Sequence, residues 1–396
     1  MAKEKVVLAF SGGLDTSYCA KYLSDEKSFD VYSAVTNTGG FNAAELAEIE
    51  RKAYALGVCQ HEAIDVTQKY YDKCVRYMIF GNILKNNTYP LSVSSERAFQ
   101  AMATMEYAKK IGARYIAHGS TGAGNDQVRF DMVFQILMPD VKVITPIRDM
   151  KLSREAEIDY LKRKGVADNW EKKAYSINKG LWGTSICGRE TLSSDRWLPE
   201  EAYPSQLMKD GEEFLEVRFE KGEPVEVNGE QLTPVDAIRR IEETASQYAI
   251  GRDTHVGDTI IGIKGRVGFE AAAPLILIKA HHLLEKHALT KWQQYWKEQL
   301  ANWYGMLLHE GQYLEPVMRN IEKFMDDSQK YVSGNVKVRL QPYRFDVLGI
   351  TSEHDLMNAK FAKYGEENTA FTGDDVIGFT KILSNQMKIY GAVNNE

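Results

Sequence analysis

Apolar residues in this chain come in short runs, set apart by polar and glycine-rich breaks. Val6-Val7-Leu8 is bounded by charge and predicts a buried strand. Tyr18, Tyr22 and Leu23 then recur at helical spacing. Residues 30–36, with Val31, Ala34 and Val35 apolar, predict a second strand, closed by Asn37-Thr38-Gly39-Gly40. Ala44, Leu46, Ala47, Ile49, Ala53 and Leu56 return to helical spacing over 43–56, and Gly57 stops that helix. His61 to Val66 predicts the end of a third strand. Another helix follows, with Tyr70, Tyr71, Val75, Met78 and Ile79 on one face. A polar loop from Asn86 to Ser94 leads to a helix from Arg97 to Lys110, and Arg114-Tyr115-Ile116-Ala117 is the next strand. This alternation predicts an α/β parallel sheet with helices on both faces. Ligands of such sheets bind beyond the carboxyl ends of the strands.

The second half has a different texture. Residues 153–163 predict a helix with Ser153 as N-cap and Glu155 and Glu157 complementing its dipole. Gly165 opens a linker, and the pattern changes around Trp170. Phe214, Val217 and Phe219, then Val225 and Val227, are strand-like, with Asn228-Gly229 as a hairpin signal. Pro234 starts a helix to about Tyr248. Residues 259–270 read as strand. Leu275 to Lys330 reads as nearly all helix, with Trp292, Trp296 and Trp303 among its apolar positions. Val336, Val338 and Leu340, then Phe345 and Val347, alternate as a β-hairpin that Gly349 ends. The expected domains are 1–168, an α+β unit over 169–365, and a tail over 366–396. Ile377, Ile382, Leu383 and Met387 give that tail an apolar face with no local core, which suits docking on another subunit.

Composition narrows the function classes. With 44 % hydrophobic residues in 396, a sizeable core is available. Lys plus Arg number 49 against 55 Asp plus Glu, a net charge of −6, which argues against a chain built to coat nucleic acid. Cys19, Cys59, Cys74 and Cys187 are widely spaced, so neither a zinc site nor a redox pair is expected. Four thiols in a chain this long suit a reducing cytoplasm. No apolar run reaches the ~18 residues needed to cross a membrane, and no secretory apolar region leads the chain. His281, His282 and His287 do not form H-E-x-x-H and read as packing residues. No protein-held metal is expected.

The chemistry concentrates in two glycine-rich turns. Ala9-Phe10-Ser11-Gly12-Gly13-Leu14-Asp15-Thr16-Ser17 sits between the first strand and the first helix. Gly12 and Gly13 let the backbone approach a ligand closely. Free N–H groups at the helix start carry partial positive charge, and Ser11, Thr16 and Ser17 add hydroxyls, so an anion fits. The turn lacks the Gly-Lys-Ser/Thr ending of a Walker A loop and is not G-x-G-x-x-G. The second turn is His118-Gly119-Ser120-Thr121-Gly122-Ala123-Gly124-Asn125-Asp126-Gln127-Val128-Arg129-Phe130. Two such loops at strand ends can converge on one nucleotide.

The first turn resembles the PP-loop of ATP pyrophosphatases, which cut ATP between the α and β phosphates. Together with the second, it is similar to the signatures of argininosuccinate synthases. The resemblance continues through Tyr175-Ser176-Ile177, Thr184-Ser185 and Ile261-Gly262-Ile263-Lys264-Gly265-Arg266 to the C-terminal helix. It implies ATP-dependent joining of citrulline and aspartate through citrullyl-AMP, Mg²⁺ accompanying ATP, and a homotetramer. By matching position, Ala9 to Ser17 would hold phosphates, and Thr36 and Gly119 would contact the nucleotide. Thr121, Asn125 and Asp126 would meet aspartate. Tyr89, Ser94, Asn125, Arg129, Ser176 and Ser185 would line the citrulline site. Asp15, Asn125 and Asp126 are the catalytic candidates, Asp15 as an orienter of Mg²⁺ or pyrophosphate or as a helix cap. Asp126 and Arg129 also suit a pair on a helix surface, Ser94 an N-cap, and Ser176 and Ser185 loop serines. Arg97 suits a carboxylate contact.

Three positions depart from the family pattern. A lysine between glycines is Ala123 here. A glutamate and a tyrosine of the citrulline site are Gly257 and Phe269. Either Asp258 or Glu270 substitutes for the missing carboxylate, or the substrate is an N-acylated citrulline. Two other classes fit the PP-loop: a tRNA-thiolating enzyme, for which Cys187 is the candidate nucleophile, and a nucleotide-binding protein without catalysis.

Overall fold

The computed structural model describes residues 3–395 apart from 167–169, 171–174, 363, 366 and 367. The expected boundaries at 168/169 and 366 fall outside those residues. The first half runs β1 (Lys5–Ala9), α1 (Leu14–Asp25), β2 (Asp30–Asn37), α2 (Ala43–Ala55) and β3 (Gln60–Asp65). Next come α3 (Thr67–Tyr70) and α4 (Arg76–Phe80), joined through a π-helical turn over Tyr71–Val75, then α5 (Ser92–Ile111) and β4 (Tyr115–Ala117). It closes with α6 (Asp126–Leu137), β5 (Lys142–Ile144), α7 (Pro146–Met150) and α8 (Arg154–Arg163). The five strands form one parallel sheet in the order β3-β2-β1-β4-β5. The order reverses between β1 and β4, and in such sheets the ligand crevice opens at that reversal, beyond the strand carboxyl ends.

The second half contributes β6 (Ser176–Gly180), β7 (Gly183–Cys187), β8 (Glu213–Glu220), β9 (Glu223–Val227), β10 (Glu230–Gln231), α9 (Pro234–Ala245), β11 (Arg252–Asp258) and β12 (Lys264–Glu270). Three helices follow, α10 (Ala272–Ala288), α11 (Lys291–His309) and α12 (Pro316–Ser328), then β13 (Gly334–Gln341), β14 (Arg344–Thr351), α13 (Gly373–Leu383) and α14 (Asn385–Asn394). Two antiparallel sheets result, β11-β12-β7-β6 and β10-β9-β8-β13-β14.

Alternation along β1 splits the packing. Val6 and Leu8 join Phe10, Tyr18, Leu23 and Ile158 on one face. Val7 joins Tyr70, Phe99 and Trp182 on the other, in a cluster that runs on through Val217, Ile276, Tyr304 and Val338. That second core crosses the expected domain division, because α4 packs on α10, α12 and β9.

Several expectations are corrected. α5 begins at Ser92, five residues before Arg97, so Ser94 is inside the helix and its cap position is Leu91, at φ 61°. Residues 259–270 are not one strand: β12 pairs with the unexpected β11 through a turn closed by Thr259 N–H donating to Ile263 O at 2.8 Å. β5, β6 and β7 were too short for the apolar pattern to show. Gly349 lies within β14, not at its end. Trp292, Trp296 and Trp303 are not core; they stand 63, 58 and 58 % exposed on α11. α13 and α14 contain no buried residue, as an apolar tail without a local core requires.

Candidate active site

The turn after β1 presents an uncapped helix start. Gly12 adopts φ +73°, which favours glycine, and a Cβ there would press Ile49 at 3.3 Å. Gly13 is the N-cap of α1 and offers no side chain to its first N–H groups. Thr16 Oγ1 lies 3.4 Å from both the Ser11 N–H and the Ser11 hydroxyl. The Ser17 and Thr36 hydroxyls are buried with no hydrogen-bond partner. Buried polar atoms are rarely left unpaired in a folded chain. Two orphaned hydroxyls beside a bare helix N-terminus therefore fit the phosphates of ATP.

Asp15 does not cap α1; its carboxyl hydrogen-bonds the carboxyl of Glu157 on α8. Glu157 is buried and not the solvent-facing dipole partner its sequence position suggests. Burial and the Asp15 carboxyl push Glu157 up to about 8, and burial raises Asp15 as well. The two carboxyls share a proton beneath the phosphate turn. Among the described residues no group of three or more His, Cys, Asp or Glu could hold a metal ion. Mg²⁺ is commonly held by substrate phosphates and water with one or two carboxylates.

The second loop meets the first. A Cβ on buried Gly119 would stand 3.1 Å from Asp15 Cβ and 3.3 Å from Thr16 N, so the chain leaving β4 lies against the first turn of α1. His118 is buried; its Nε2 is 2.9 Å from Asp131 Oδ1, and its Nδ1 accepts from the Ser120 N–H at 3.3 Å. Gln127 ties the loop by donating to Gly122 O at 2.6 Å. Ala123 is exposed, and the cation flanking the loop is Arg148, whose Nη1 donates to Asp131 Oδ2 at 2.6 Å.

Asn125 and Asp126 open α6, yet neither serves it as a cap. Asn125 Oδ1 accepts from Ile260 N–H at 2.8 Å, reaching the β11–β12 turn of the second half. Asp126 sits between two guanidinium groups, Arg97 Nε at 2.9 Å and Arg129 Nη1 at 3.0 Å. Burial opposes its ionisation, but Arg97 and Arg129 outweigh that and hold its carboxyl below the usual range. The helix-surface pairing of Asp126 with Arg129 thus exists as part of a larger network. Arg97 also donates to Glu96 Oε1 at 3.1 Å, Gln100 Oε1 at 2.8 Å and Asn178 Oδ1 at 3.3 Å. Burial pushes Glu96 up to about 7, and Thr38 donates to its other oxygen. Arg129 Nε and Nη2 donate to His309 O at 3.1 and 2.8 Å.

The remaining candidates divide. Tyr89 and Ser94 are both buried and hydrogen-bonded to each other. The Tyr89 loop is fixed by Trp182 Nε1 donating to Pro90 O at 2.9 Å. Ser185 is buried on β7 opposite Phe269 of β12, whose ring lies 5.4 Å from Tyr89. Ser176 is exposed on edge strand β6, on the face it shares with Asn178 two residues on. Thr121 is exposed on the second loop. The β6–β7 hairpin comes so close to the loop after β2 that a Cβ on Gly40 would stand 1.9 Å from Lys179 O.

Sequence reasoning missed Thr38, Glu96, Asn178, Glu157, His255 and His309. Their signals were weak: Glu96 sits in the unrecognised first turn of α5, and His255 in unrecognised β11.

The chain from 5 to 167 matches the family model described as "Arginosuccinate synthase N-terminal HUP domain", and 175 to 390 matches the corresponding C-terminal domain. The chain belongs to the argininosuccinate synthase family. The argininosuccinate synthase of Methanocaldococcus jannaschii is 36 % identical over 387 residues, 97 % of each chain. That of Xanthomonas campestris is 34 % identical over 409 residues, covering all of both. That of Pyrococcus furiosus is 35 % identical over 386, 96 % of this chain and 93 % of the relative. Membership in the argininosuccinate synthases makes this a ligase that uses ATP. No helix among the described residues is long and apolar enough to cross a membrane.

Proposed function

We propose that the cleft between β1 and β4 joins a citrulline to aspartate. The ureido oxygen attacks the α-phosphorus of ATP and pyrophosphate leaves. The aspartate amine then attacks the activated ureido carbon and AMP leaves. Ala9 to Ser17, Thr36 and Gly119 hold the nucleotide, with Mg²⁺ arriving on its phosphates. Thr121, Asn125 and Asp126 receive aspartate. Tyr89, Ser94, Asn125, Arg129, Ser176 and Ser185 receive citrulline. Asp15, paired to Glu157, sets the charge under the phosphates, and Asp126 keeps two guanidinium groups in fixed orientation. Rate enhancement comes from alignment and electrostatics with no general base.

The observation that carries this reading is the seating of Gly119 against Asp15 and Thr16 at the sheet's topological reversal. The buried position of Asp126 between Arg97 and Arg129 adds an organised anion-binding wall. Pyrophosphate release that requires both aspartate and a citrulline substrate tests it; release that requires tRNA would replace it with the thiolating reading. Cys187, the candidate for that chemistry, has its thiol pushed up by burial, which opposes a reactive thiolate.

The division at 1–168, 169–365 and 366–396 and a cytoplasmic homotetramer complete the proposal. The tail helices expose Ile377, Phe379, Ile382 and Leu383 at 61–72 %. Light scattering that reads a single 44.9-kDa chain would overturn the tetramer.

A further inference from the structure

The surroundings of Tyr89 lack a free carboxylate and hold unpaired basic groups. This argument rests on the ligase reading above. Asp126 is engaged by Arg97 and Arg129. Glu96 is engaged by Arg97, Gln100 and Thr38. Asp258 pairs with Lys264 at 2.7 Å, and Glu270 pairs with Arg252 at 2.9 Å and accepts from Ser205 N–H. Neither of the two expected substitutes is therefore free. Glu310 lies 3.6 Å from His309 Nδ1, too far for a hydrogen bond.

The basic side is different. His255 is buried and stacked on Tyr89, with ring centroids 5.2 Å apart and planes within 20°. A Cβ on Gly257 would stand 2.8 Å from His255 Nε2, so the imidazole occupies the room a side chain at 257 would need. Nδ1 of His255 and Nδ1 of His309 are both buried without a hydrogen-bond partner. Lys85 lies near both rings and forms no ion pair among the described residues. Burial, Arg129, Lys85 and His255 together hold His309 down at about 3, the signature of a site with excess positive charge.

A free amino acid brings an α-ammonium as well as a carboxylate. Placing that ammonium beside Lys85, Arg129 and two imidazoles leaves a desolvated cation with no counter-charge, which is strongly unfavourable. Acylation removes the charge and adds acceptor oxygens. We infer that the citrulline taken at Tyr89 and Arg129 carries an N-acyl group ending in a carboxylate, received by His255 and Lys85 in the room that Gly257 leaves.

The test measures pyrophosphate release by the full chain with ATP, Mg²⁺ and aspartate, supplying citrulline, N-acetylcitrulline or N-succinylcitrulline. The expected kcat/KM is highest for N-succinylcitrulline, by about tenfold or more over citrulline, given the usual strength of charge-assisted hydrogen bonds. Lys85→Gln, at a half-buried surface position, should narrow the N-succinyl to N-acetyl ratio about tenfold. His255→Ala combined with Gly257→Glu should shift preference toward citrulline. Citrulline equal to or better than both acylated forms overturns the inference. N-acetylcitrulline equal to N-succinylcitrulline, or an unchanged ratio in Lys85→Gln, overturns the carboxylate. No release with any of the three overturns the ligase reading instead.

Discussion

Gly119→Ala is a one-methyl probe of whether the two loops share a ligand. Gly119 has no positive φ, so alanine meets no backbone penalty, and the new methyl group is the whole perturbation. Its Cβ would stand 3.1 Å from Asp15 Cβ, 3.2 Å from Asp15 C and 3.3 Å from Thr16 N. Unstrained carbon contacts begin at about 3.5 Å, so the start of α1 must retreat by about 0.4 Å. Two of the three contacts are backbone, which cannot rotate away as a side chain can. Overpacking of this kind costs about 1–3 kcal/mol. The displaced atoms are the ones that face phosphate, so the cost should fall on ATP binding and activation. A loss of about 1–2 kcal/mol there is about 5- to 30-fold in kcat/KM for ATP. Initial-rate pyrophosphate release across an ATP titration reads this, with thermal unfolding confirming that the variant is folded. A folded Gly119→Ala protein with wild-type kcat/KM for ATP would refute the convergence of the two loops.

Two further outcomes follow from the charges beside that turn. Between the ordinary carboxyl value of 4.5 and about 8, folded Glu157 keeps a proton that the unfolded chain has released. Its contribution to stability is therefore full below about pH 4.5, falls as pH rises and levels off above about 8. Glu157→Gln should flatten unfolding midpoint against pH across that window, and should remove the rise in KM for ATP expected as a second negative charge forms under the phosphates above about pH 8; equal pH slopes in both proteins would contradict the shared proton. Asp126→Asn leaves Arg97 and Arg129 facing each other without a counter-ion, and removing one partner of a buried pair costs about 3–5 kcal/mol. Urea unfolding should show that loss together with at least tenfold lower kcat, and a stability within 1 kcal/mol of wild type, against the ~3 expected, would mean water already screens the network.

Sequence alone determined the parallel half of this protein. Its strands are short apolar runs and its helices recur at a period near 3.6, so β1 to β4 and α1, α2 and α8 were legible from local pattern. It also determined the two ligand loops, because glycines at strand ends serve one physical purpose whatever surrounds them. What it did not carry was partnership. Glu157 looks like any first-turn carboxylate, and only the docking of α8 on α1 brings it to Asp15. β6, β7 and β11 lack a clear apolar alternation because their residues serve the cleft, so their hydrogen bonds come from pairing with β12 and not from local preference. The meaning of Gly257 was likewise undecided until His255 was seen filling its place. Local spacing sets what a residue can do, but distant charges and close backbone approaches set what it does, and those exist only once the chain has folded.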